Sequence, residues 1–253
     1  LQADNIGDLV AVADQGVVAI SGGEFKDAIS ATNASIVVTG GTFPQDNPPS
    51  EYLQDGYIVD SDGTIKASGT RLFASGTGSA ADPYVINSKE QFIAFRESVN
   101  DETNPKAYAG QYIRLDSNLD ISSEINWEPI GNGSRSGRSY TGNSFQGIFD
   151  GNGKSISRLT ISENVTNPDE AVGLFGVLNG GVVQDLTLTN VNISVSNGEC
   201  VGGAIGLMVN GATASGITVG AQGGSVTITA VRGLGGVVGR MTITGGILDC
   251  TNY

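Results

Sequence analysis

The chain has no histidine among its 253 residues. That absence removes a His-Glu zinc motif, a Ser-His-Asp triad and any imidazole general base. Cysteine is scarce as well: Cys200 and Cys250 do not amount to a disulfide framework. They read as buried thiols or as one bridge between neighbouring turns of the chain. Aromatic residues make up 6% of the sequence and charged residues 15%, against a usual charged share of about a quarter. The surface is therefore built mostly from Ser, Thr, Asn and Gly. No apolar run approaches the ~20 residues of a membrane-spanning helix, so no membrane span is expected in this segment. The sequence opens on Leu1 without a signal peptide, which reads as a processed or excised piece.

Cations are also few. Lys and Arg total 13 against 26 Asp and Glu, giving a net charge of −13 and a pI near 4.2. Such a polyanion is repelled by nucleic acid and by anionic lipid, so neither is expected as a partner. The acidity serves solubility, with cation binding as the alternative.

What the chain does have is glycine, 38 residues of it, and a repeated phrase. Val172-Gly-Leu-Phe-Gly176 recurs as Val201-Gly-Gly-Ala-Ile-Gly206 and as Leu234-Gly-Gly-Val-Val-Gly239, in steps of 29 and 33 residues (172 to 201 to 234). Steps of this size mark a solenoid. Each copy runs on into short alternating strands such as Val183–Thr189 and Val226–Thr229, whose period of 2 puts one row of side chains inward. Gly-rich corners, among them Asn179-Gly-Gly181, Asn210-Gly211, Gly223-Gly224 and Gly245-Gly246, supply the backbone conformations of tight bends. One turn cannot bury its own apolar row, but stacked turns can. The expectation is an all-β, right-handed parallel β-helix. A β-sandwich is the runner-up, but gives no reason for a repeated Val-Gly-Gly.

Residues 1–68 carry a smaller repeat. Val18–Phe25 matches Ile36–Phe43 at an offset of 18, and Tyr57–Val59 with Thr64–Lys66 around Asp62-Gly63 reads as a closing hairpin. Residues 69–82 have linker composition. Then 83–253 begins with the chain's one credible helix, 89–100, capped by Ser88 with Gln91 in capping-box position and Phe92, Phe95 and Val99 on one face. That helix is expected to cover the first coil of the main stack. The Ser/Gly/Arg loop 132–143 follows Trp127-Glu-Pro-Ile-Gly131 and is the most basic patch, with Arg135 and Arg138.

The succession Asp82-Pro-Tyr, capped helix, Trp127-x-Pro-Ile-Gly131, Phe145-x-Gly-x-Phe-Asp-Gly-Asn-Gly153 and the Val-Gly-Gly copies resembles the GLUG-motif repeat domains of bacterial surface and secreted proteins. The likeness covers about 75–253. Residues 1–68 resemble the Gly-Gly-Thr-Phe repeats of large bacterial surface proteins. The resemblance implies a β-helical stalk or adhesive segment at the cell surface or secreted, and no catalytic centre or cofactor.

The sequence accordingly reads as a non-enzymatic adhesin or spacer. Its expected partners are a host glycan or protein and further coils or domains of a parent chain, and Arg135, Arg138 and Tyr140 are the candidate ligand-binding residues. The chain ends at Tyr253 directly after a strand, which predicts further coils or a covering partner. The enzymatic alternative is a polysaccharide lyase or glycoside hydrolase, which needs convergent carboxylates with a basic residue. Asp116, Asp120, Glu124, Glu128, Asp150, Asp185, Arg114, Arg158 and Arg240 are the available pieces. Asp150 and Asn152 offer hard oxygen ligands for Ca²⁺, though their spacing is that of a turn. A third reading takes the pairs Thr187/Thr189, Thr227/Thr229 and Thr242/Thr244 as a water-ordering hydroxyl face, although they lie at different offsets from their repeat starts.

Overall fold

Period-2 apolar rows become stacked parallel strands in both units of the chain, Leu1–Arg71 and Leu72–Tyr253. The computed structural model describes residues 10–11, 17–26, 29–31, 35–44, 49–53, 57–59, 63–67, 72–220, 225–230, 233–242 and 245–253. In the first unit Val17–Glu24 lies parallel to Ser35–Thr42 with Val18 opposite Ile36, the 18-residue step of the sequence. Phe25 stacks on Phe43 with centroids 4.3 Å apart, over a core of Ile20, Ile36, Val38 and Ile65. The strands Tyr57–Val59 and Thr64–Ala67 form the expected hairpin, and Ile65 pairs onward with Gly41. Asp62 of the expected turn lies outside the described residues.

The boundary falls earlier than linker composition suggests. Residues 72–82 belong to the second unit: Phe73 stacks on Tyr84 at 4.3 Å, and Leu72 packs on the core. Two apolar side chains are enough to dock a stretch that is otherwise small and polar.

The second unit is a parallel β-solenoid, each full turn of which visits five sheets. The first sheet stacks Tyr84–Ile86, Tyr112–Leu115, Ile148–Asp150, Val182–Gln184, Thr213–Ser215 and Gly246–Leu248. The second stacks Leu119–Asp120, Ser155–Ser157, Thr187–Thr189, Thr218–Val219 and Thr251–Asn252. The third holds Thr160–Asn164, Val191–Ser196 and Val226–Thr229. The fourth and fifth carry the repeated phrase, as Ala171–Val172, Cys200–Gly202 and Leu234–Gly235, and as Phe175–Asn179, Ile205–Val209 and Val238–Met241.

Register turns sequence period into continuous columns. Ile113, Phe149, Val183 and Ala214 stack on the first sheet, and Leu119, Ile156, Leu188 and Val219 on the second. All are buried, and each one larger than Ala214 contributes about 1.5–3 kcal/mol. The repeated glycines permit the close approach of coils. A Cβ on Gly206 would lie 2.7 Å from the carbonyl carbon of Ala171 and 2.9 Å from the carbonyl oxygen of Cys200, where nothing can give way.

Corners are built in columns too. Arg158, Asn190 and Gly220 follow successive strands of the second sheet and all have positive φ, at 63°, 52° and 94°. Asn and Gly suit that left-handed conformation, whereas an arginine there is uncommon. Arg158 also pairs with Asp120 of the preceding coil.

The helix Lys89–Asn100 has the expected bounds and closes the first coil. Ser88 Oγ accepts from the Gln91 N–H at 3.2 Å, but the Gln91 side chain reaches back to the Asn87 N–H rather than to Ser88. Phe92 stacks on Trp127 at 5.3 Å, and Phe95 meets Phe145 and Phe149. No helix among the described residues is long and apolar enough to cross a membrane.

Candidate functional site

The stretch 132–143, read as a loop, contains an antiparallel hairpin, Ser134–Ser136 with Ser139–Thr141. Its sequence has no apolar alternation, so local propensity does not predict it; contacts from elsewhere hold it. Arg135 is turned inward. Its guanidinium pairs with Asp169 and lies 3.5 Å from Glu199, and the Arg135 N–H donates to the Asp169 carbonyl at 2.7 Å. Glu199 also draws Arg240 from the next coil, at 4.0 Å. The Tyr140 hydroxyl accepts from Asn179 Nδ2 at 2.8 Å and from Ser144 Oγ at 3.1 Å. Its ring packs on Ala171, Val177, Cys200, Leu207 and Val209, a small second core outside the solenoid wall. Arg138 is the exposed residue of the three, near the hairpin turn, and its carbonyl accepts from Thr242 Oγ1 at 3.2 Å. The structure thus places Arg135, Arg138 and Tyr140 on one hairpin but gives two of them structural work.

Both cysteines are free. Cys200 lies in that second core, and burial pushes its thiol up, away from the thiolate that reactivity requires. Cys250 is half-buried and contacts the Ala214 carbonyl at 3.7 Å.

The root of the hairpin borders a cavity of about 250 Å³ lined by Glu128, Asn132, Ser134, Glu163, Glu170 and neighbouring backbone. Trp127-Glu-Pro-Ile-Gly131 brings Glu128 there. Trp127 is buried, its Nε1–H donates to the Leu174 carbonyl at 3.0 Å, and the Arg96 guanidinium lies 4.6 Å over its ring. Asn100, buried at the end of the helix, clamps the next residues. Its Nδ2 donates to the Pro129 carbonyl at 2.9 Å, and its Oδ1 accepts from the N–H groups of Gly131 at 2.8 Å and Asn132 at 3.3 Å. Asn132 Nδ2 in turn donates to Glu128 at 2.7 Å. Burial holds the Glu163 carboxyl above its ordinary value, and the charges of Glu170 and Glu128 push the same way. A bond from Asn126 opposes them. Chemically this is a wall of carboxylate and amide acceptors, suited to hydroxyl donors.

The remaining acids of the enzymatic alternative are scattered. Arg114 pairs with Asp116 at 2.7 Å and Arg158 with Asp120, while Arg96 pairs with Glu124 at 2.8 Å. Asp185 is a corner residue with φ of 50°. Asp150 accepts from the Asn152 N–H at 2.7 Å, and the Asn152 amide bonds to Leu115 and Asp116, which makes the Asp150–Gly153 stretch a bonded turn. Among the described residues no group of three or more His, Cys, Asp or Glu is placed to hold a metal ion. The Thr pairs separate: Thr187/Thr189 are on the second sheet and Thr227/Thr229 on the third, so they form no single face. Thr242 follows the fifth sheet, and Thr244 lies outside the described residues.

Glu163, Glu170 and Asn100 were not singled out from the sequence. Coil length was the available signal for Glu163, because it follows Glu128 by 35 residues, close to the spacing of Leu119 and its stacked partner Ile156.

Fold and site define a parallel β-solenoid with a hairpin strapped across its outer wall beside an acidic cavity. No protein-family model matches the chain. It is similar to Halomucin of Haloquadratum walsbyi, with 34% identity over 192 residues, covering 72% of this chain. The chain spans 2% of the length of that relative. Among solved structures it is similar to a Bacteroides ovatus protein proposed to be an immunoglobulin A1 protease, at 17% identity and a TM-score of 0.41, over 72% of this chain and 60% of the other.

Proposed function

We propose that the chain is a non-enzymatic extracellular segment, a β-solenoid spacer at a bacterial cell surface or on a secreted protein, which also binds glycan. The observation that carries this reading is the use of charge. Arg96, Arg114, Arg135 and Arg158 are each tied to a carboxylate that braces the stack or its strap. The likeness to Halomucin supports a place outside the cell. The GLUG-type resemblance points the same way. The cavity beside the hairpin offers acceptors to the hydroxyls of a neutral sugar, with Arg138 exposed on the same hairpin. Anionic glycans are disfavoured by a net charge of −13. A protein ligand would use the same hairpin surface.

The test is a glycan array probed with the purified chain in calcium-containing buffer, each hit repeated with chelator. The reading predicts neutral glycans among the hits, weakened by Glu128→Ala and unchanged by chelator. Loss with chelator would instead implicate calcium held by the acidic cavity, and a blank array would leave the spacer role without glycan binding.

The carbohydrate-active enzyme is a second reading, favoured by one observation. Three carboxylates line one cavity, and one of them, Glu163, is held toward its protonated form by burial and by the charges of the other two. A carboxyl favoured in its protonated form can serve as the general acid of glycoside hydrolysis.

A further inference from the structure

We infer that the hairpin Ser134–Thr141 is a latch, which couples its own coil to the next three and opens as a unit to uncover an apolar groove on the solenoid wall. In a solenoid each coil touches only its neighbours, so a stack can open one coil at a time. The hairpin breaks that rule. It is inserted in the coil begun by Tyr112–Leu115, and the coil begun by Ile148–Asp150 supplies its nearest anchors. There the Arg135 N–H donates to the Asp169 carbonyl, Ser134 bridges antiparallel to Glu170, and the Ala171 N–H donates to the Gly133 carbonyl at 3.1 Å. Glu199 of the following coil faces Arg135. Arg240 and Thr242 of the coil after that are reached through Glu199 and through the Arg138 carbonyl.

The wall beneath is built for a cover. On the third sheet Val191, Ile193 and Val195 are buried while Asn192 and Ser194 between them are exposed, the ordinary division of a sheet with one wet face. On the fourth and fifth sheets that division fails. Ala171, Val177, Cys200, Leu207 and Val209 form an apolar cluster apart from the main core, each at most 3% exposed, with Tyr140 packed against it. One column shows where the cover stops. Val177 and Leu207 lie in register, and the next position is Arg240, which is half-buried. Apolar residues in this column thus end at the last coil on which Tyr140 packs.

The cover is weakly self-supporting, which is what a latch requires. Tyr140 is the one large apolar residue of 134–141, and a two-stranded hairpin by itself is marginal in water. Its charged anchors are partly wet, the side chains of Arg135, Asp169 and Glu199 being 19%, 31% and 27% exposed. The Tyr140 plug is also wired across two coils, because its hydroxyl accepts from Asn179, whose Oδ1 accepts from Asn210 Nδ2 at 2.8 Å. Pulling the plug frees the strap and the groove together, while the main core is a separate cluster and stays packed.

Cys200, fully buried under the strap, reports its opening. The full chain is treated with iodoacetamide and the label located by peptide mass spectrometry, which scores Cys250 separately. In the parent chain Cys200 should react slowly, at a rate nearly independent of dilute urea, because the opening exposes little surface. Tyr140→Ala should raise that rate by about tenfold or more, since the plug of the groove is gone. Arg135→Gln leaves the apolar cluster intact, guards against a packing defect and should act in the same direction. Loss of the Arg135 charge would by itself slow the reaction, because that cation favours the thiolate, so a faster rate reads opening. Emission from the buried Trp127 should stay that of the parent chain in both variants. Hydrogen exchange at Val238–Met241 should quicken in both, although neither altered side chain bonds to that strand. A Cys200 rate unmoved by either substitution, a rise that comes only with loss of the Trp127 signal, or unchanged exchange at Val238–Met241 would each overturn the proposal.

Discussion

Replacing Asn100 by alanine removes three hydrogen bonds that no other side chain can remake. The amide joins the end of the helix to the Pro129 carbonyl and to the Gly131 and Asn132 N–H groups, at 2.9, 2.8 and 3.3 Å. Pro129 and Gly131 are buried, so the released Pro129 carbonyl and Gly131 N–H have little access to water. Each bond contributes roughly 0.5–1.5 kcal/mol net, and a buried group left unpaired costs about 1–3 kcal/mol. The expected loss is therefore about 2–5 kcal/mol. For a unit of this size that corresponds to a Tm lower by roughly 4–20 °C. Urea unfolding followed by the fluorescence of Trp127, the single tryptophan, reads this region directly. Asn143→Ala is the control. It removes two bonds, to the Asn100 carbonyl and to Asn132 Oδ1, from a half-buried position, leaves the Gly131 and Asn132 N–H groups paired, and should cost about 1–2 kcal/mol. If Asn100→Ala proves no worse than Asn143→Ala, the clamp is not what fixes the 129–132 segment.

Glu163→Gln should raise the unfolding midpoint at neutral pH and do nothing below about pH 4. The sign follows from its carboxyl, which burial raises above its ordinary value in the folded state. Its stabilising contribution is present while it is protonated, below the unfolded value, and is lost as pH rises through the folded one. Thermal melts of both proteins between pH 4 and 8 would show it, and a constant offset across that range would contradict it. Gly206→Ala should destabilise by about 3 kcal/mol or more, above the ordinary range for overpacking, because its Cβ would meet backbone of the neighbouring coil. Urea midpoints check this, and an unchanged midpoint would mean that the coils can move apart.

The stack itself was legible because its signal is local and repeated. Val172, Val201 and Leu234 begin three similar phrases, and the phrases lie in register. The helix was legible to the residue because Ser88 caps it and Phe92, Phe95 and Val99 share a face. The hairpin was not, since Ser134–Thr141 is ordered by Asp169, Glu199 and Asn179, all remote in sequence. Arg135 and Arg138 therefore looked alike as free cations, although one braces the strap and the other is exposed. The corner at Arg158 was hidden for a different reason. Its left-handed backbone is imposed by the column it shares with Asn190 and Gly220, not by any preference of arginine. The cavity joins Glu128, Glu163 and Glu170 across two coils, and only the coil length relates them.

The most direct test of the central claim is turnover of polysaccharide. A panel of neutral and uronic-acid polymers is incubated with the purified chain and with its Glu163→Gln variant, and reducing ends and unsaturated products are measured. A non-enzymatic surface segment releases nothing above the buffer blank, with either protein and with or without calcium. Product release by the wild-type chain that Glu163→Gln abolishes would make the acidic cavity an active site and contradict the account.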